Sequence, residues 1–387
     1  MTPAVVNRLP IISNLLKWFK PDDLVIDNAL FKLHHQASTF IIMFGLLFIF
    51  LENHLDGRAI VCQGGDQYAR SYCWIHGTGY VRDHLQGKAT GCFVDQTRIE
   101  SVEDAPVTAY YLWLPFLLTF CFGFAKLPRS VWKSYLENGL VRNLLGTQVD
   151  PAMIAQNFLD FRPRYSKYHF YFGFCEFLNM VMVLLSLAIT DALLLGKFWS
   201  YGQQVLHYMA SEKHLGADGS YLTHDPMCEL FPTEVACYIR IGATTGHIDR
   251  TNYLCILSNN LFNQKYFLVL WLWWFVLLGL SLLGLVYRLA RIMIPDLSRS
   301  VLMRTVAAWR MVDLDLTAAD CFMLDMLASN LPQNVMDQVL AEIARRMSPK
   351  PDPDLMDNHN HNSSLKGGLG PRVYSQATAP NVGLALY

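Results

Sequence analysis

The nine cysteines are the residues whose type and spacing carry the clearest chemistry in this 387-residue chain. Six of them lie in two polar segments, three in residues 53–106 and three in residues 196–265. The six are Cys62, Cys73, Cys92, Cys228, Cys237 and Cys255. Cysteines at this density in two polar segments are typical of a disulfide framework in an oxidising compartment.

The positions of these cysteines favour bridges between the two segments. Because each segment holds an odd number, at least one bridge must join them. Cys62 follows the first apolar segment by 11 residues, and Cys255 precedes the last apolar segment by 11. Nesting outward from that pair predicts Cys62–Cys255, Cys73–Cys237 and Cys92–Cys228. Partial closure of each segment on itself stays open as the alternative for the other bridges.

Three polar residues follow the first apolar segment: Glu52, Asn53 and Asp56. The two carboxylates give this end of the segment a negative charge, which attracts cations. A cap or an ion pair at the end of the helix is an equally good interpretation of Glu52.

The other reactive side chains indicate neither an enzyme nor a cofactor site. The chain has no phosphate-binding glycine loop, zinc-protease motif or serine nucleophile elbow. His34 and His35 are adjacent, so on a helix they point in different directions and do not form a metal pair. Their protonation between pH 5 and 8 would change the charge at this end of the first apolar segment. A net charge of −1 argues against a nucleic-acid partner.

Four apolar segments set the architecture. The chain is 52% hydrophobic and only 16% charged, whereas soluble domains carry about 25% charged residues. A helix of about 20 apolar residues crosses a bilayer. The four predicted spans are residues 37–52, 107–125, 170–195 and 266–287.

The second span, Val107–Ala125, contains no charge. Tyr110, Tyr111 and Trp113 stand near its start, where a membrane interface favours aromatic rings. Pro115 follows them, and a proline inside a helix kinks its axis. The segment therefore predicts a kinked membrane helix that packs against its neighbours.

Lysine and arginine predict the orientation. Residues 1–36, 126–169 and 288–387 hold 21 of the 31 lysines and arginines. By the positive-inside rule these segments are cytoplasmic, and residues 53–106 and 196–265 form two extracellular loops. Helical periodicity in residues 288–350 predicts a cytoplasmic helical domain, and the composition of residues 351–387 predicts a disordered tail.

Two acidic residues interrupt the third span. Glu176 and Asp191 are costly in lipid and are expected to face protein or water. For Glu176, near the inner end, we expect a lysine or arginine of the cytoplasmic loop as the partner. In the fourth span, Trp271, Trp273 and Trp274 are predicted to be interfacial anchors.

Several motifs together resemble the innexin family of gap-junction subunits. The resemblance covers about Val25 to Lys350, and the chain departs from the usual pattern at Leu112, where the signature has glutamine, and at Leu114, where it has valine. Cys92 and Cys228 are additional to the two cysteines per loop that are typical of the family. The motifs are Ile26-Asp27-Asn28, Tyr72-Cys73-Trp74-Ile75-His76, Tyr110–Pro115, Phe231-Pro232 with Cys237, and Cys255-Ile256-Leu257 with Asn260.

The resemblance implies a large-pore channel made of a ring of identical or related subunits, an octamer where the family architecture is known. Two rings in apposed cells dock through their extracellular loops. The N-terminal segment, residues 1–36, lines the pore with the first span, so the pore-lining candidates are Met1, Thr2, Glu52, Asn53 and Asp56. In a ring of subunits the carboxylates would surround one mouth and favour cations.

The sequence thus predicts an all-α membrane protein with four transmembrane helices, a disulfide-bridged extracellular domain with short strands, and a helical cytoplasmic domain. It predicts a gap-junction subunit in the plasma membrane with both termini in the cytoplasm and membrane lipids as partners. The alternatives are an undocked release hemichannel of the pannexin type and a four-span adhesion or scaffold protein without a pore.

Overall fold

The computed structural model describes residues 24–51, 60–80, 109–146, 149–211, 225–242, 246, 248–306 and 316–347. Most of these residues are helical, and four strands form one sheet. The helices are α1 Ala29–Leu51, α2 Gln67–His76, α3 Leu114–Val131, α4 Leu140–Leu145, α5 Pro151–Asp160, α6 Arg162–Tyr165, α7 Tyr168–Leu193, α8 Phe198–Ala210, α9 Pro226–Leu230, α10 Asn259–Met293, α11 Pro295–Val306, α12 Ala318–Ala328 and α13 Gln333–Met347. The strands are β1 Val61–Cys62, β2 Gly79–Tyr80, β3 Glu234–Gly242 and β4 Ile248–Ile256.

Among the described residues, three helical segments are long and apolar enough to cross a membrane: Ala29–Leu51, Arg162–Leu193 and Asn259–Met293. The helix of the predicted second span, α3, has 18 residues and carries Lys126 and Arg129 near its inner end. It packs against both α1 and α7, and α7 packs against α10. The four helices therefore form one bundle.

The predicted kink at Pro115 is wrong. A short 3-10 turn, Tyr110–Leu112, precedes α3, and Pro115 occupies the first turn of that helix. In the first turn the missing N–H has no partner to lose, and the fixed φ of proline suits the helix. The proline inside α3 is Pro128, near its inner end.

Glycine allows a close approach between α1 and α10. A Cβ atom built on Gly45 would lie 2.2 Å from the ring of Tyr266. The Tyr266 hydroxyl donates a hydrogen bond to the carbonyl of Ile41, at 3.3 Å. The two helices meet over this glycine with no room for a side chain.

A short break in the helical chain separates α7 from α8. Leu195 and Gly196 have positive φ and end α7, and α8 begins at Phe198. The Tyr201 hydroxyl donates to the carbonyl of Gln264 at 2.8 Å. Because the Phe198 ring also lies 6.0 Å from that of Trp274, α8 runs beside the outer half of α10.

Asp191 stabilises this break. Its carboxylate accepts a hydrogen bond from the backbone N–H of Trp199, at 2.8 Å. It thereby satisfies one of the unpaired donors at the start of α8.

The Trp271 indole donates to the carbonyl of Trp199 at 3.0 Å, so this tryptophan joins α8 to α10. The Trp274 side chain is buried in the bundle, so it is not the interfacial anchor that the sequence suggests.

The described residues of 60–80 and 225–257 form a unit that we call the outer domain. It contains an antiparallel sheet with strand order β1-β4-β3-β2. The β3–β4 hairpin has nine residues in each strand, which is longer than the short strands expected from sequence. Its edges pair with the two-residue strands β1 and β2 from the first loop. Both loops therefore contribute strands to one sheet.

The helices α4, α5, α6, α11, α12 and α13 form a packed set that we call the inner domain. α13 packs on α5, and α12 packs on α11 and on the inner end of α7. Asp320 links α12 to the chain before α7, since its carboxylate accepts from Arg162 at 2.6 Å and from the Tyr165 hydroxyl at 3.0 Å. Burial alone would raise the pKa of Asp320, but hydrogen bonds from Arg162 and Thr317 outweigh burial and lower that pKa.

Candidate functional site: the outer disulfide domain and the base of the first helix

Two disulfides connect the two predicted loops, residues 53–106 and 196–265. Cys62 bonds to Cys255, its directly opposite partner on the neighbouring strand, and Cys73 bonds to Cys237. The sulfurs of Cys62, Cys73 and Cys255 lie within 4.8 Å of one another, so the two bridges are adjacent. Both bridges have the partners that the nested pairing predicts from the sequence. They make the two loops one covalently connected unit.

The third predicted bridge, Cys92–Cys228, has one end outside the described residues. Cys228 is disulfide-bonded, but Cys92 is not described, so this pairing stays a prediction. Three other cysteines, Cys121, Cys175 and Cys321, are buried free thiols.

The aromatic residues before α3 join the membrane bundle to the outer domain. The Tyr111 hydroxyl donates to the carbonyls of Cys73 and Trp74, both at 3.2 Å. The rings of Tyr111 and Trp74 stack at 4.5 Å. Tyr110 packs edge-on against Phe231, 5.7 Å away. The Trp113 side chain is exposed, as expected of a residue that faces the membrane interface.

The same layer includes residues in the first two turns of α10. The Asn260 side chain donates to the carbonyl of Pro232 at 2.6 Å, and Gln264 donates to the carbonyl of Phe231 at 2.9 Å. Leu114, one of the two departures from the family signature, is buried here. Motifs that are far apart in the chain therefore meet in one layer between the membrane helices and the sheet.

All five predicted pore-lining residues, Met1, Thr2, Glu52, Asn53 and Asp56, lie outside the described residues. The exposed face of α1 is apolar from Phe40 to Leu51. Phe40, Phe44, Leu47 and Phe50 expose more than half of their side chains. This face is available to lipid, to a neighbouring subunit or to a pore.

The inner end of α1 begins in a network of buried charges. The Asn28 side chain caps the helix by accepting from the N–H of Phe31 at 2.8 Å. Its amide also donates to Glu176 at 2.6 Å. Arg288, at the inner end of α10, forms a buried two-pronged ion pair with Glu176. The partner of Glu176 therefore comes from the end of α10 and not, as the sequence suggests, from residues 126–169.

A second ion pair lies beside the first. Asp27 accepts from Arg129 at 2.8 Å and faces the His35 imidazole at 3.1 Å. His34 and His35 lie in a π-helical turn of α1, Leu33–Ala37, and both side chains are buried. His34 faces Ser281 of α10 at 2.7 Å. The two histidines have different partners, as their adjacency predicts.

Comparison with known proteins identifies the family. The innexin family model matches residues 27–347, which is most of the chain. The chain belongs to the innexin family. It is 28% identical to innexin inx2 of Drosophila melanogaster over 352 residues, which cover 85% of this chain and 93% of that protein. It is 28% identical to innexin inx2 of Schistocerca americana, over 86% of this chain and 96% of that protein, and 25% identical to Drosophila innexin shaking-B, over 93% and 99%.

Innexins are membrane channel proteins and not enzymes, and at the level of the family this chain is a subunit of a gap-junction channel that assembles with other innexin subunits. The matched region starts at Asp27, so it includes the charged network at the base of α1. It also includes both disulfides of the outer domain.

Some residues of this innexin's inner network are not evident from the sequence. Arg129 follows an apolar segment and counts toward the positive-inside bias, but nothing in the pattern pairs it with Asp27. Arg288 directly follows the fourth apolar segment, and its distance from Glu176 in the chain hides the ion pair. The available signal is the buried charge itself, since an acidic residue in a membrane helix requires a partner.

Proposed function

We propose that this innexin forms a ring of eight subunits in the plasma membrane, and that two rings in apposed cells dock into a channel that passes ions and small solutes. The observation that carries the proposal is the outer domain. Its two loops are joined by adjacent disulfides and share one sheet. A rigid surface of this kind suits docking because little conformational entropy is lost on contact.

The proposed topology has four spans with both termini in the cytoplasm. The packing of α3 against α1 and α7 supports its assignment as the second span. The bias of lysine and arginine supports the orientation. In this arrangement the buried charges at the base of α1 lie at the cytoplasmic side of the membrane.

The proposed pore is lined by the N-terminal segment and the first span, with Met1, Thr2, Glu52, Asn53 and Asp56 as its polar residues. A ring of Glu52 carboxylates would favour cations. Replacing Glu52 with glutamine should lower the cation preference measured from reversal potentials. Unchanged reversal potentials would remove Glu52 from the pore.

The decisive experiment measures coupling between two adjoining cells that both express the chain, together with the membrane current of single cells. Coupling supports docked channels. Current without coupling supports an undocked hemichannel of the release type. Neither signal, with the protein at the surface, contradicts the channel and favours an adhesion protein.

A cysteine variant tests the role of the outer domain in docking. Cys73→Ser together with Cys237→Ser removes one bridge between the loops and should abolish coupling. The matched control is Cys121→Ser, which removes a buried free thiol from α3 and should leave coupling intact. Normal coupling in the double variant would show that this bridge is not needed for docking.

A further inference from the structure

Four consecutive residues before the first membrane helix are held by different parts of the protein. These residues, Val25–Asn28, connect the N-terminal segment to α1. The carbonyl of Ile26 accepts from the Trp132 indole at 3.0 Å. Asp27 is paired with Arg129, and Asn28 with Glu176. Arg129 belongs to α3, Trp132 to the π-helical turn Trp132–Glu137 that continues α3, and Glu176 to α7.

The contact to Val25 comes from the cytoplasmic helices instead. Asn330 lies in the turn between α12 and α13. Its side-chain carbonyl accepts from the N–H of Val25 at 2.7 Å, and its side-chain amide donates to the carbonyl of Val25 at 2.7 Å. One asparagine thus pairs with both backbone groups of one residue, as a neighbouring strand would. This fixes the direction of the chain at Val25.

The Asn330 side chain makes one further described hydrogen bond, to the helix that precedes it. Its amide donates to the carbonyl of Met326 at 2.8 Å. The neighbouring Ser329 hydroxyl donates to the carbonyl of Asp325 at 3.0 Å. Ser329 therefore serves the same turn as Asn330 but has no described contact with Val25. The pair offers a matched comparison between stabilising the turn and holding the N-terminal segment.

We infer that Asn330 is a positioning residue for the pore: it sets the direction in which the N-terminal segment leaves the protein, and so couples the cytoplasmic helices to the pore entrance. This inference rests on the proposed function, in which the N-terminal segment lines the pore. A displacement of α12 and α13 would move the turn that holds Val25. Whatever binds or modifies the cytoplasmic helices would therefore act on the pore through this contact.

The test measures the position of the N-terminal segment in assembled full-length channels. Thr2→Cys introduces a thiol, and a negatively charged methanethiosulfonate reagent is applied from the cytoplasmic side while current is recorded. The described free cysteines are buried, and the parent chain without Thr2→Cys measures their background. The rate at which the reagent changes the current reports the exposure of the introduced thiol in the pore.

Asn330→Ala in the Thr2→Cys background should change this rate. Two lost hydrogen bonds shift the ratio of held to released segment by roughly tenfold. Ser329→Ala should leave the rate unchanged. Asn330→Asp, which keeps the acceptor for the Val25 N–H but loses the donor, should give an intermediate rate and serves as the variant of choice if Asn330→Ala does not assemble.

The outcomes separate this inference from the function on which it rests. Modification that changes the current, at a rate altered by Asn330→Ala and not by Ser329→Ala, supports the inference. An unaltered rate in both Asn330 variants overturns the inference alone. Equal changes from Asn330→Ala and Ser329→Ala also overturn it, because the turn would then act through its fold. Modification of the introduced thiol without any change in current overturns the pore-lining role of the segment, and the inference with it.

Discussion

Glu176 is a buried carboxylate that holds the inner ends of three helices together. It pairs with Arg288 of α10 and accepts from Asn28 at the start of α1, while it belongs to α7 itself. A buried charge left without its partner is costly, because it has lost its hydration and gains nothing in return. The network therefore ties stability to the correct docking of α1.

Replacing Glu176 with glutamine should destabilise the protein by about 3–5 kcal/mol, because the Arg288 guanidinium stays buried without a counter-charge. Thermal unfolding of the detergent-solubilised protein measures the effect. Asp337→Asn removes an exposed carboxylate from α13 and serves as the control. Equal unfolding temperatures for Glu176→Gln and the control would show that the ion pair contributes little.

Asp320 predicts a pH dependence of the stability of the inner domain. Its pKa is below the ordinary value of 3.8 in the folded protein, so the unfolded chain binds a proton at higher pH than the folded one. The carboxylate therefore contributes stability that is fully present above about pH 5 and is lost as the pH falls through the lowered pKa. Unfolding curves of the parent chain and of Asp320→Asn, recorded between pH 7 and the acid limit, should converge as the pH falls. A constant difference across that range would contradict this origin of the stability.

At the scale of elements, the contact between α1 and α10 depends on the absence of a side chain at Gly45. Gly45→Ala should push the helices apart, since the added methyl group would meet the ring of Tyr266. Overpacking of this kind costs about 1–3 kcal/mol. Gly123→Ala is the matched control, because a Cβ atom on that glycine of α3 would meet nothing within 4 Å.

Unfolding temperature and the fraction of assembled oligomer measure both glycine variants. We expect Gly123→Ala to behave like the parent chain or to be slightly more stable, because alanine favours a helix over glycine. We expect Gly45→Ala to lower both quantities. If the two variants behave alike, the close approach at Gly45 is not important for packing.

Several elements follow directly from sequence patterns. Apolar residues at steps of three and four predict Ala318–Ala328 and Gln333–Met347, and the structure has helices with the same bounds. Asp27 and Asn28 directly precede the first helix and are both residue types that cap helices, and Asn28 is the cap. Patterns of this kind succeed because a local backbone preference and one buried face decide the outcome.

Other features need the tertiary structure. Pro115 lies in the first turn of α3 because the helix starts at Leu114, and hydropathy marks an apolar segment but not where its helix begins. The break after Leu193 lies in a segment whose apolar character continues past it. The partners of Glu176 and Val25 are 112 and 305 residues away, and no local pattern encodes such contacts.

At the scale of the whole molecule, the topology can be read by glycosylation. Lys88→Asn creates the sequon Asn-Ala-Thr in the first predicted extracellular loop, and Arg164→Asn creates Asn-Tyr-Ser in the predicted cytoplasmic loop. Only the first should be glycosylated, because the glycan is attached in the lumen of the endoplasmic reticulum, and segments in that lumen become extracellular. The natural sequon Asn362-Ser363-Ser364 in the tail should stay unmodified.

The measurement is the shift in electrophoretic mobility that an endoglycosidase reverses. A shift for Lys88→Asn alone agrees with four spans and cytoplasmic termini. A shift for Arg164→Asn would contradict that arrangement and would place the middle segment outside. The parent chain shows whether the tail sequon is used.

The two bridges of the outer domain also have a consequence for the order in which the protein is made. Their partners are 193 and 164 residues apart, so Cys62 and Cys73 leave the ribosome long before Cys237 and Cys255 exist. Until the hairpin that carries the later cysteines arrives on the same side, the earlier thiols can exchange with other disulfides. Oxidation of these pairs therefore marks the arrival of the β3–β4 hairpin: a product truncated before Cys237 keeps Cys62 and Cys73 without their partners, whereas the finished subunit holds both in buried bridges.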